Sequence, residues 1–315
     1  MNFIVKKTQD LSKEEVLRIL DIFKAVFDVT RSETVFYNQF LNTQLGYSYH
    51  LLMLDDNGEI VGSHTYVPAF FSVNNIRHLF VTGADVMVLK GYRDIFTYLE
   101  MLKYGRKYLK ENGVDVEYGY PNDLNFEILS KAKLTKHIGE MYTYCLPYRI
   151  GGIKDCLGAL NWCSMAACLI WLNICSFFAS NKVYKFLCEK DLVSYNKVRY
   201  KRNDGNYGFG DGFTYKIMNY EGIRAAFLID VFEKSPRNFC KAVKHIIQKE
   251  SKNIDIVIYP GLLPFKLCGL LKIPHKFEPK HFHLVATILN KKEISEDIIY
   301  NINNWDTNLS NYDLV

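Results

Sequence analysis

The chain has 315 residues, of which 49% are hydrophobic and 23% charged, a composition that excludes general disorder and fits about two domains. Its 39 Lys and Arg against 34 Asp and Glu give a net charge of +5, too weak a bias to favour nucleic acid as a partner. None of the eight cysteines forms a CxxC pair, and the chain starts without a long apolar segment. We therefore expect a reducing, cytoplasmic location.

Hydrophobic periodicity predicts the element order β-α-α-β-β-β-α-β-α-β for residues 1–150. A capping box at residues 12–15 and a similar signal at residues 30–33 begin two successive helices. Asn57-Gly58 predicts a hairpin turn, because this pair accepts positive φ angles. The last part is a β-α-β crossover, which requires a parallel pair of strands. We therefore predict an α/β fold with a mixed, mostly antiparallel sheet flanked by helices.

The carboxy-terminal part predicts a second, similar series of elements. Ser235-Pro236 is typical of a helix start, and this helix is followed by a predicted strand over 254–259. A helix over 262–271 and a strand over 281–289 are predicted next.

A short internal match accompanies this similarity of order. Tyr120-Pro121 and Tyr259-Pro260 each follow a predicted crossover helix and strand, which favours an internal duplication. The predicted domains are 1–150, a helical linker over 151–192, and 193–315.

The segment 156–181 contains no charged residue and is long enough to span a bilayer. It could form a buried helix or helix pair between the two halves, a helix that lies on a membrane surface, or a true membrane span. A single span would place the halves on opposite sides of the membrane, which conflicts with duplicated halves that pack together. We expect an apolar helical segment, with peripheral membrane contact as an open alternative.

Residues 82–96 predict a strand, a tight loop and the start of a helix. The first amides of a helix lack partners within it, and its dipole is positive at that end, so this loop suits a phosphate. The alternative is an ordinary β-to-α turn without a ligand.

Two segments resemble motifs of the GNAT family of N-acetyltransferases. Residues 88–96 resemble the family's acyl-CoA loop, V-x-P-x-Y-R-G-K-G-I-F, and residues 119–122 (Gly-Tyr-Pro-Asn) resemble the G-F-P-N of some members. The element order of residues 1–150 matches the same fold. The second half resembles a degenerate GNAT-like unit, as in tandem-GNAT and Fem-like transferases.

This resemblance implies transfer of an acetyl or other acyl group from acyl-CoA to an amine of a small or saccharide-linked acceptor, with acetyl-CoA as co-substrate. The fourth strand would splay from the fifth (114–120), and the pantetheine arm would bind main-chain amides in the gap. The residues implied in cofactor binding are Val86, Met87, Val88, Tyr92, Arg93, Asp94, Ile95 and Asn122.

An amine must be neutral to attack a thioester, so the resemblance also implies a base near the splay. Asp85 and Glu117 lie on the two facing strands and are the candidates; each could instead be a solvent-facing strand carboxylate. Tyr120 is a candidate to protonate the leaving thiolate, with core packing as the alternative.

The loop departs from the family pattern, because Asp94-Ile95-Phe96 follows Tyr92-Arg93 where the family has G-x-G. Two other functions therefore stay open. One is a catalytically inactive GNAT-like binding or scaffold protein. The other is a Fem-like aminoacyltransferase that acts on a lipid-linked acceptor.

Three histidines, His275, His281 and His283, lie close together in the sequence. Carboxylate or cysteine ligands at the spacing of a metal motif do not accompany them. We therefore predict surface or strand histidines and no metal site.

Overall fold

The structure is a computed structural model that describes residues 1–202, 206–278, 280–291 and 294–312. Its strands are β1 (Asn2–Lys7), β2 (Tyr49–Leu54), β3 (Ile60–Val73), β4 (Ile76–Val88), β5 (Val116–Gly119), β6 (Lys136–Leu146), β7 (Cys188–Lys190), β8 (Gly208–Gly210), β9 (Phe213–Tyr220), β10 (Ile223–Val231), β11 (Ile256–Gly261), β12 (Leu271–Lys272) and β13 (Phe282–Ile288). Its helices are α1 (Lys13–Phe27), α2 (Glu33–Leu41), α3 (Ile95–Glu111), α4 (Asp123–Lys131), α5 (Ile150–Ile153), α6 (Asn161–Phe178), α7 (Leu192–Arg199), α8 (Pro236–Glu250) and α9 (Glu296–Ile299).

The chain forms two compact units, each assembled from three separate stretches. The first unit consists of Met1–Gly139, Leu187–Gly205 and His283–Trp305. The second unit consists of Glu140–Phe186, Asn206–Phe282 and Asp306–Val315.

The sheet of the first unit begins as an antiparallel meander of β1, β2, β3 and β4. β5 is parallel to β4, and β13 is antiparallel to β5. β7 pairs with the far end of β3. The predicted mixed, mostly antiparallel sheet is therefore confirmed, as is the predicted parallel pair around α3.

Helices cover both faces of this sheet. Alternate residues of a strand point to opposite faces, so neighbouring residues of β2 contact different helices. Leu52 of β2 shares a buried cluster with Val16 of α1 and Phe36 of α2. Its neighbour Leu51 shares another cluster with Met101 of α3. The amphipathic α1 begins as predicted, with the Ser12–Glu15 capping box formed on both sides.

The sheet of the second unit has the order β6, β11, β10, β9 and β8, with β10 and β11 parallel. α8 connects these two parallel strands, and Ser235 accepts a hydrogen bond from the Asn238 amide at 3.2 Å to cap it. Phe239, Val243 and Ile246 of α8 are buried in the main core of this unit.

Each of the two sheets contains one strand that comes from the opposite half of the sequence. β6 follows β5 in the chain but pairs with β11 of the second unit, where Leu146 lies opposite Val257. β13 follows β11 in the chain but pairs with β5 of the first unit, where Ala286 lies opposite Tyr118. The compact units therefore do not coincide with the sequence-based blocks 1–150, 151–192 and 193–315. The internal duplication stays a prediction.

The predicted helix over 262–271 is wrong. Residues 262–270 are all described and contain no helix, and Leu271 begins the short strand β12. Pro264 removes a main-chain donor, and Gly269 has a φ of 84°, which a right-handed helix excludes. Cys268 and Leu270 of this segment are buried, and Leu263 and Phe265 pack against the same core as irregular chain. Their spacing therefore resembled that of a helix.

Candidate functional site

The point where β4 and β5 separate is the feature on which a thioester site depends. Their parallel ladder joins Phe80, Val81 and Thr82 to residues 116–118 and then stops. β4 continues to Val88 in this fully described stretch, paired only with β3. The edge of β4 over residues 83–88 therefore turns unpaired main chain toward the end of β5.

A β-bulge lies in this edge of β4. Ser63 pairs with Met87 and Thr65 with Ala84, so the one β3 residue between them lies opposite both Asp85 and Val86. Asp85 has a φ of 48°, an uncommon value for a residue other than glycine. Bulges redirect side chains and release main-chain groups from pairing, and they are frequent next to active sites.

Asp85 is bound by an arginine rather than exposed to solvent. Arg31, from the link between α1 and α2, donates to Asp85 Oδ2 through Nη1 and to Oδ1 through Nη2 at 3.3 Å. Both side chains are largely buried. This bidentate pair keeps Asp85 on the sheet face that α1 and α2 cover.

Glu117 is also paired with an arginine, on the opposite face of the sheet. Arg106 of α3 donates from Nε to Glu117 Oε2 at 2.5 Å and from Nη1 to the Leu134 carbonyl at 2.7 Å. The solvent-facing alternative is therefore wrong for both carboxylates. The two predicted bases lie on facing strands, as expected, but they point to opposite faces, and their catalytic role stays a prediction.

Sequence analysis missed a buried histidine at the start of the separation. A Cβ at Gly83, the first β4 residue past the ladder, would lie 2.7 Å from His64 Nε2. Within the described residues, neither ring nitrogen of His64 has a hydrogen-bond partner, and the same holds for the Tyr66 hydroxyl. Desolvation lowers the pKa of His64 to about 4, although Glu117 opposes this effect, so the imidazole is neutral at pH 7. The sequence signal for this site was the presence of polar residues, His64 among them, inside the long and mainly apolar strand β3.

The amino terminus of α3 is capped by a carboxylate of the chain itself, so its main-chain amides are not all free to bind a phosphate. Asp94 is the N-cap and accepts from the Thr97 amide at 2.8 Å and from the Thr97 hydroxyl at 2.9 Å. These bonds, that from the amide first, lower the pKa of Asp94, so the group is ionised at neutral pH. Asp94 therefore brings negative charge to the position expected for a diphosphate, and its role in cofactor binding stays a prediction.

The other predicted loop residues surround this cap. The Arg93 Nε donates to the Val88 carbonyl at 2.8 Å, and the Tyr92 hydroxyl donates to Asp55 Oδ2 at 3.3 Å. Ile95 is exposed at the first turn of α3. Arg93 thus lies close enough to β4 to join the loop and the strand edge into one surface.

The remaining predicted cofactor residues differ in accessibility. Met87 is buried against α1 and α2, whereas Val86 and Val88 are partly exposed on the β4 edge. The Asn122 side chain accepts from the Asn125 amide at 2.9 Å and so caps α4. Tyr120 packs at the margin of the core cluster around Trp305, close to its core-packing alternative. The cofactor and acid roles of these residues stay predictions.

An open cavity of about 410 Å³ lies beside α1 and α2. Its lining includes Asp21 and Glu33 together with Lys24 and with Arg31, the partner of Asp85. A second cavity, of about 500 Å³, is lined by residues of the 130–137 and 286–300 segments and by none of the predicted site residues.

A cluster of histidines and glutamates lies in the second unit. The sequence had shown only that histidines are close to one another in this part of the chain. Glu140 of β6 lies 2.8 Å from His275 Nε2 and 3.8 Å from His281 Nδ1, measured from its Oε2. Glu278 Oε2 lies 2.6 Å from His275 Nδ1. The carboxylates come from another strand and from the intervening turn, so sequence spacing did not reveal them.

The charge-free segment forms the helix α6, which is largely exposed. In an 18-residue part of the stretch Asp155–Phe178, only 17% of the residues are buried, and the mean hydropathy of that part is 1.5. Length and composition would allow the stretch Asp155–Phe178 to cross a membrane. The alternative of a buried helix is therefore wrong, and the expected apolar helical segment is present.

Comparisons with known proteins agree with the first unit's geometry. Residues 7–131 match the family model described as an acetyltransferase (GNAT) domain. No curated protein sequence matches the chain.

Several solved structures share the fold. A GCN5-related N-acetyltransferase from Anabaena variabilis is 14% identical with a TM-score of 0.55, over 91% of this chain and 74% of its own. One from Kribbella flavida is 12% identical with a TM-score of 0.56, over 92% and 72%. Eis1 from Mycobacterium abscessus is 9% identical with a TM-score of 0.56, over 92% and 74%. At these identities the likeness shows the fold alone.

Proposed function

Because residues 7–131 form a GNAT acetyltransferase domain, we propose that the chain transfers an acyl group from acyl-CoA to an amine, with acetyl-CoA as the donor. The observation that carries this proposal is the unpaired edge of β4 over residues 83–88, next to the end of β5. A pantetheine arm contains amide groups that can hydrogen-bond to such an edge. We place the reaction in the cytoplasm, with no nucleic acid involved.

The acceptor in this proposal is a small or saccharide-linked amine that enters beside α1 and α2. Asp21 and Glu33 line the cavity there beside Lys24, and either carboxylate could pair with an amine in its protonated form. Arg31 connects this cavity to the β4 bulge through its pair with Asp85. The amine would thus reach the gap between β4 and β5 from the face that α1 and α2 cover, and its proton would cross this gap to His64, which shares the other face with Glu117.

The amine must lose a proton before or during attack, and His64 is our proposed proton acceptor. Its imidazole is neutral, its ring nitrogens have no described partner, and Nε2 lies over Gly83 where β4 leaves β5. Glu117 favours the protonated ring electrostatically, against the larger effect of burial and the opposing charge of Arg106. A water molecule could connect the amine to His64, since buried polar atoms without partners commonly bind water.

One observation favours a second function, a GNAT-like binding or scaffold protein without catalysis. Asp94 occupies the amides that a diphosphate would use and repels its charge. Binding of acetyl-CoA therefore requires the diphosphate to bind beside Asp94 or to displace its side chain.

Calorimetric titration with acetyl-CoA tests the proposal. We expect the unmodified protein to bind, and Asp94→Asn to bind about 2- to 5-fold more tightly, because asparagine keeps the cap without the repelling charge. Arg93→Glu should weaken binding about tenfold, since it reverses a charge beside the loop.

Lys107→Glu is the matched control for these variants, because Lys107 is an exposed cation on the same helix, away from its amino terminus. It should leave the affinity unchanged. Absence of any binding heat from the unmodified protein and from Asp94→Asn would instead support the scaffold function.

A further inference from the structure

We propose that Glu140, His275 and His281 of the second unit bind a divalent transition-metal ion. One ligand atom from each residue lies within 4.8 Å of the others. Nitrogen and carboxylate ligands of this kind suit Zn²⁺ and its neighbours in the first transition row. The inference does not depend on acyl transfer, because none of these residues belongs to the proposed transferase site.

Glu278 lies beside His275, one of the three proposed ligands. Its carboxylate is buried, and its Oε1 accepts from the Thr143 amide at 2.6 Å. Oε2 lies 2.6 Å from His275 Nδ1 and has no hydrogen-bond partner among the described residues, so it is placed to accept a proton from Nδ1 and to leave Nε2, 2.8 Å from Glu140, for an ion. A carboxylate that fixes a histidine in this way is a common support for metal ligands.

The separations of the ligand atoms fit an ion after small side-chain rotations. Donors at about 2.0–2.2 Å from a tetrahedral ion lie about 3.3–3.6 Å apart. The Glu140 Oε2 contacts, 2.8 Å to His275 and 3.8 Å to His281, lie on either side of that range. Both imidazoles are partly exposed, which allows an ion to enter and leaves room for a water ligand.

Calorimetric titration of the full chain with Zn²⁺ tests this site, with Co²⁺ absorption as a second readout of coordination. We expect one ion per chain, and His281→Ala and Glu140→Gln should each weaken binding about 10- to 100-fold. Affinity should fall as the pH is lowered, because protons compete for the imidazoles. His245→Gln, outside the cluster in the same unit, should bind like the unmodified protein.

Two outcomes would overturn the metal site. One is Zn²⁺ binding by the unmodified protein that is no tighter than binding by a His275→Ala/His281→Ala variant. The other is equal loss of binding in His245→Gln, which would indicate nonspecific histidine binding.

A separate observation carries a second proposal: we infer that α6 docks on an anionic phospholipid surface. Its outer face presents large apolar side chains, with Phe177 80% exposed, Trp162 71% exposed, and Ile170 and Phe178 also exposed. An exposed apolar face of this size is unusual for a helix of a monomeric soluble protein.

Polar side chains at the start of α6 bond to the main chain of the second unit. The Asn161 side chain accepts from the Gly151 amide at 2.7 Å, and the Ser164 hydroxyl donates to the Tyr148 carbonyl at 2.9 Å. Asn173 accepts from Lys244 at 2.8 Å. Cys168 and Leu172 bury the inner side in the core of the second unit. The helix is thus held lengthwise along its unit, which favours lying on a membrane over spanning it.

The charges around α6 determine the kind of surface. The segment 156–188 contains no Asp or Glu, and exposed Lys182 and Lys185 follow the helix. Lys244 borders the helix through Asn173, and Arg237 Nη2 donates to the Ala179 carbonyl at 3.4 Å. These cations complement anionic headgroups while the aromatic side chains enter the acyl boundary.

Cosedimentation with phosphatidylcholine vesicles, with and without phosphatidylglycerol, tests the docking surface. We expect binding to the anionic vesicles, and Phe177→Ser/Phe178→Ser should weaken it on the order of 100-fold because two buried rings are lost. Ile76→Ser, a change of an exposed apolar residue in the first unit, should leave binding unchanged.

Failure to bind anionic vesicles would overturn this proposal. So would self-association that the same double variant abolishes, because α6 would then be covered by a second copy of the chain.

Discussion

Replacement of Lys234 by alanine is expected to lower the free energy of unfolding of the second unit by about 3–5 kcal/mol. Lys234 is 3% exposed, and its Nζ lies 2.7 Å from Asp230 Oδ1 and 3.1 Å from Asp306 Oδ1. Burial alone would lower the pKa of Lys234, but the two carboxylates outweigh it and raise that pKa above its usual value. Loss of the ammonium leaves two buried carboxylates without their cation.

Urea denaturation followed by circular dichroism measures this effect. Lys241→Ala is the control, because Lys241 is an exposed lysine of α8, and its loss should change the unfolding free energy by less than about 0.5 kcal/mol. A loss below about 1 kcal/mol for Lys234→Ala would show that Asn308 and Ser310, which also bond to Asp230, stabilise the carboxylates without the lysine.

His64→Gln is expected to lower kcat for acyl transfer about 100- to 10,000-fold, the usual contribution of a general base. Glutamine occupies similar space but does not accept a proton at neutral pH. Because the pKa of His64 is about 4, protonation of this ring should not limit kcat of the unmodified enzyme at neutral pH and should lower it only near pH 4. The measurement is kcat against pH with acetyl-CoA and an amine that the protein accepts.

His50→Gln is the matched control for this substitution. His50 is also buried and neutral, with a pKa that burial lowers to about 3, but Thr8 and Thr65 bind its two ring nitrogens at 3.0 and 3.1 Å. The His50→Gln substitution should lower stability and change kcat little.

The folded-state pKa values of His50 and His64 both lie below the usual 6.5, so the stability of the protein falls as the pH drops from about 6.5 toward 4. Rates at acid pH therefore require protein shown to be folded by circular dichroism. Equal losses of kcat in both variants would mean that His64 is only structural.

Most elements were predictable from the sequence because their signals are local. The capping box at Ser12, the start of α8 at Ser235 and the hairpin at Asn57-Gly58 depend on residues within one turn of each other. The succession of a strand, α3 and a further strand predicted the parallel pair and hence the mixed sheet. The irregular chain over 262–270 was missed because it is held by tertiary packing rather than by a local pattern.

The candidate site was only partly predictable. The sequence located the β4 edge and the α3 loop, but it did not reveal the Arg31 and Arg106 partners of Asp85 and Glu117. It also gave no reason to choose His64, whose low pKa results from burial by several elements. These properties depend on neighbours that are distant in the chain.

The sequence by itself determined the order and type of the elements, the GNAT-like motifs and the charge-free segment. Only the tertiary structure decided that β6 pairs with β11 and that β13 pairs with β5. It also decided that Glu140 lies beside His275 and His281, and that α6 turns its apolar side outward. Local conformation follows from neighbouring residues through capping, turns and periodicity. Strand pairing, burial and the direction of a helix face depend on contacts between distant segments, which a linear pattern does not contain.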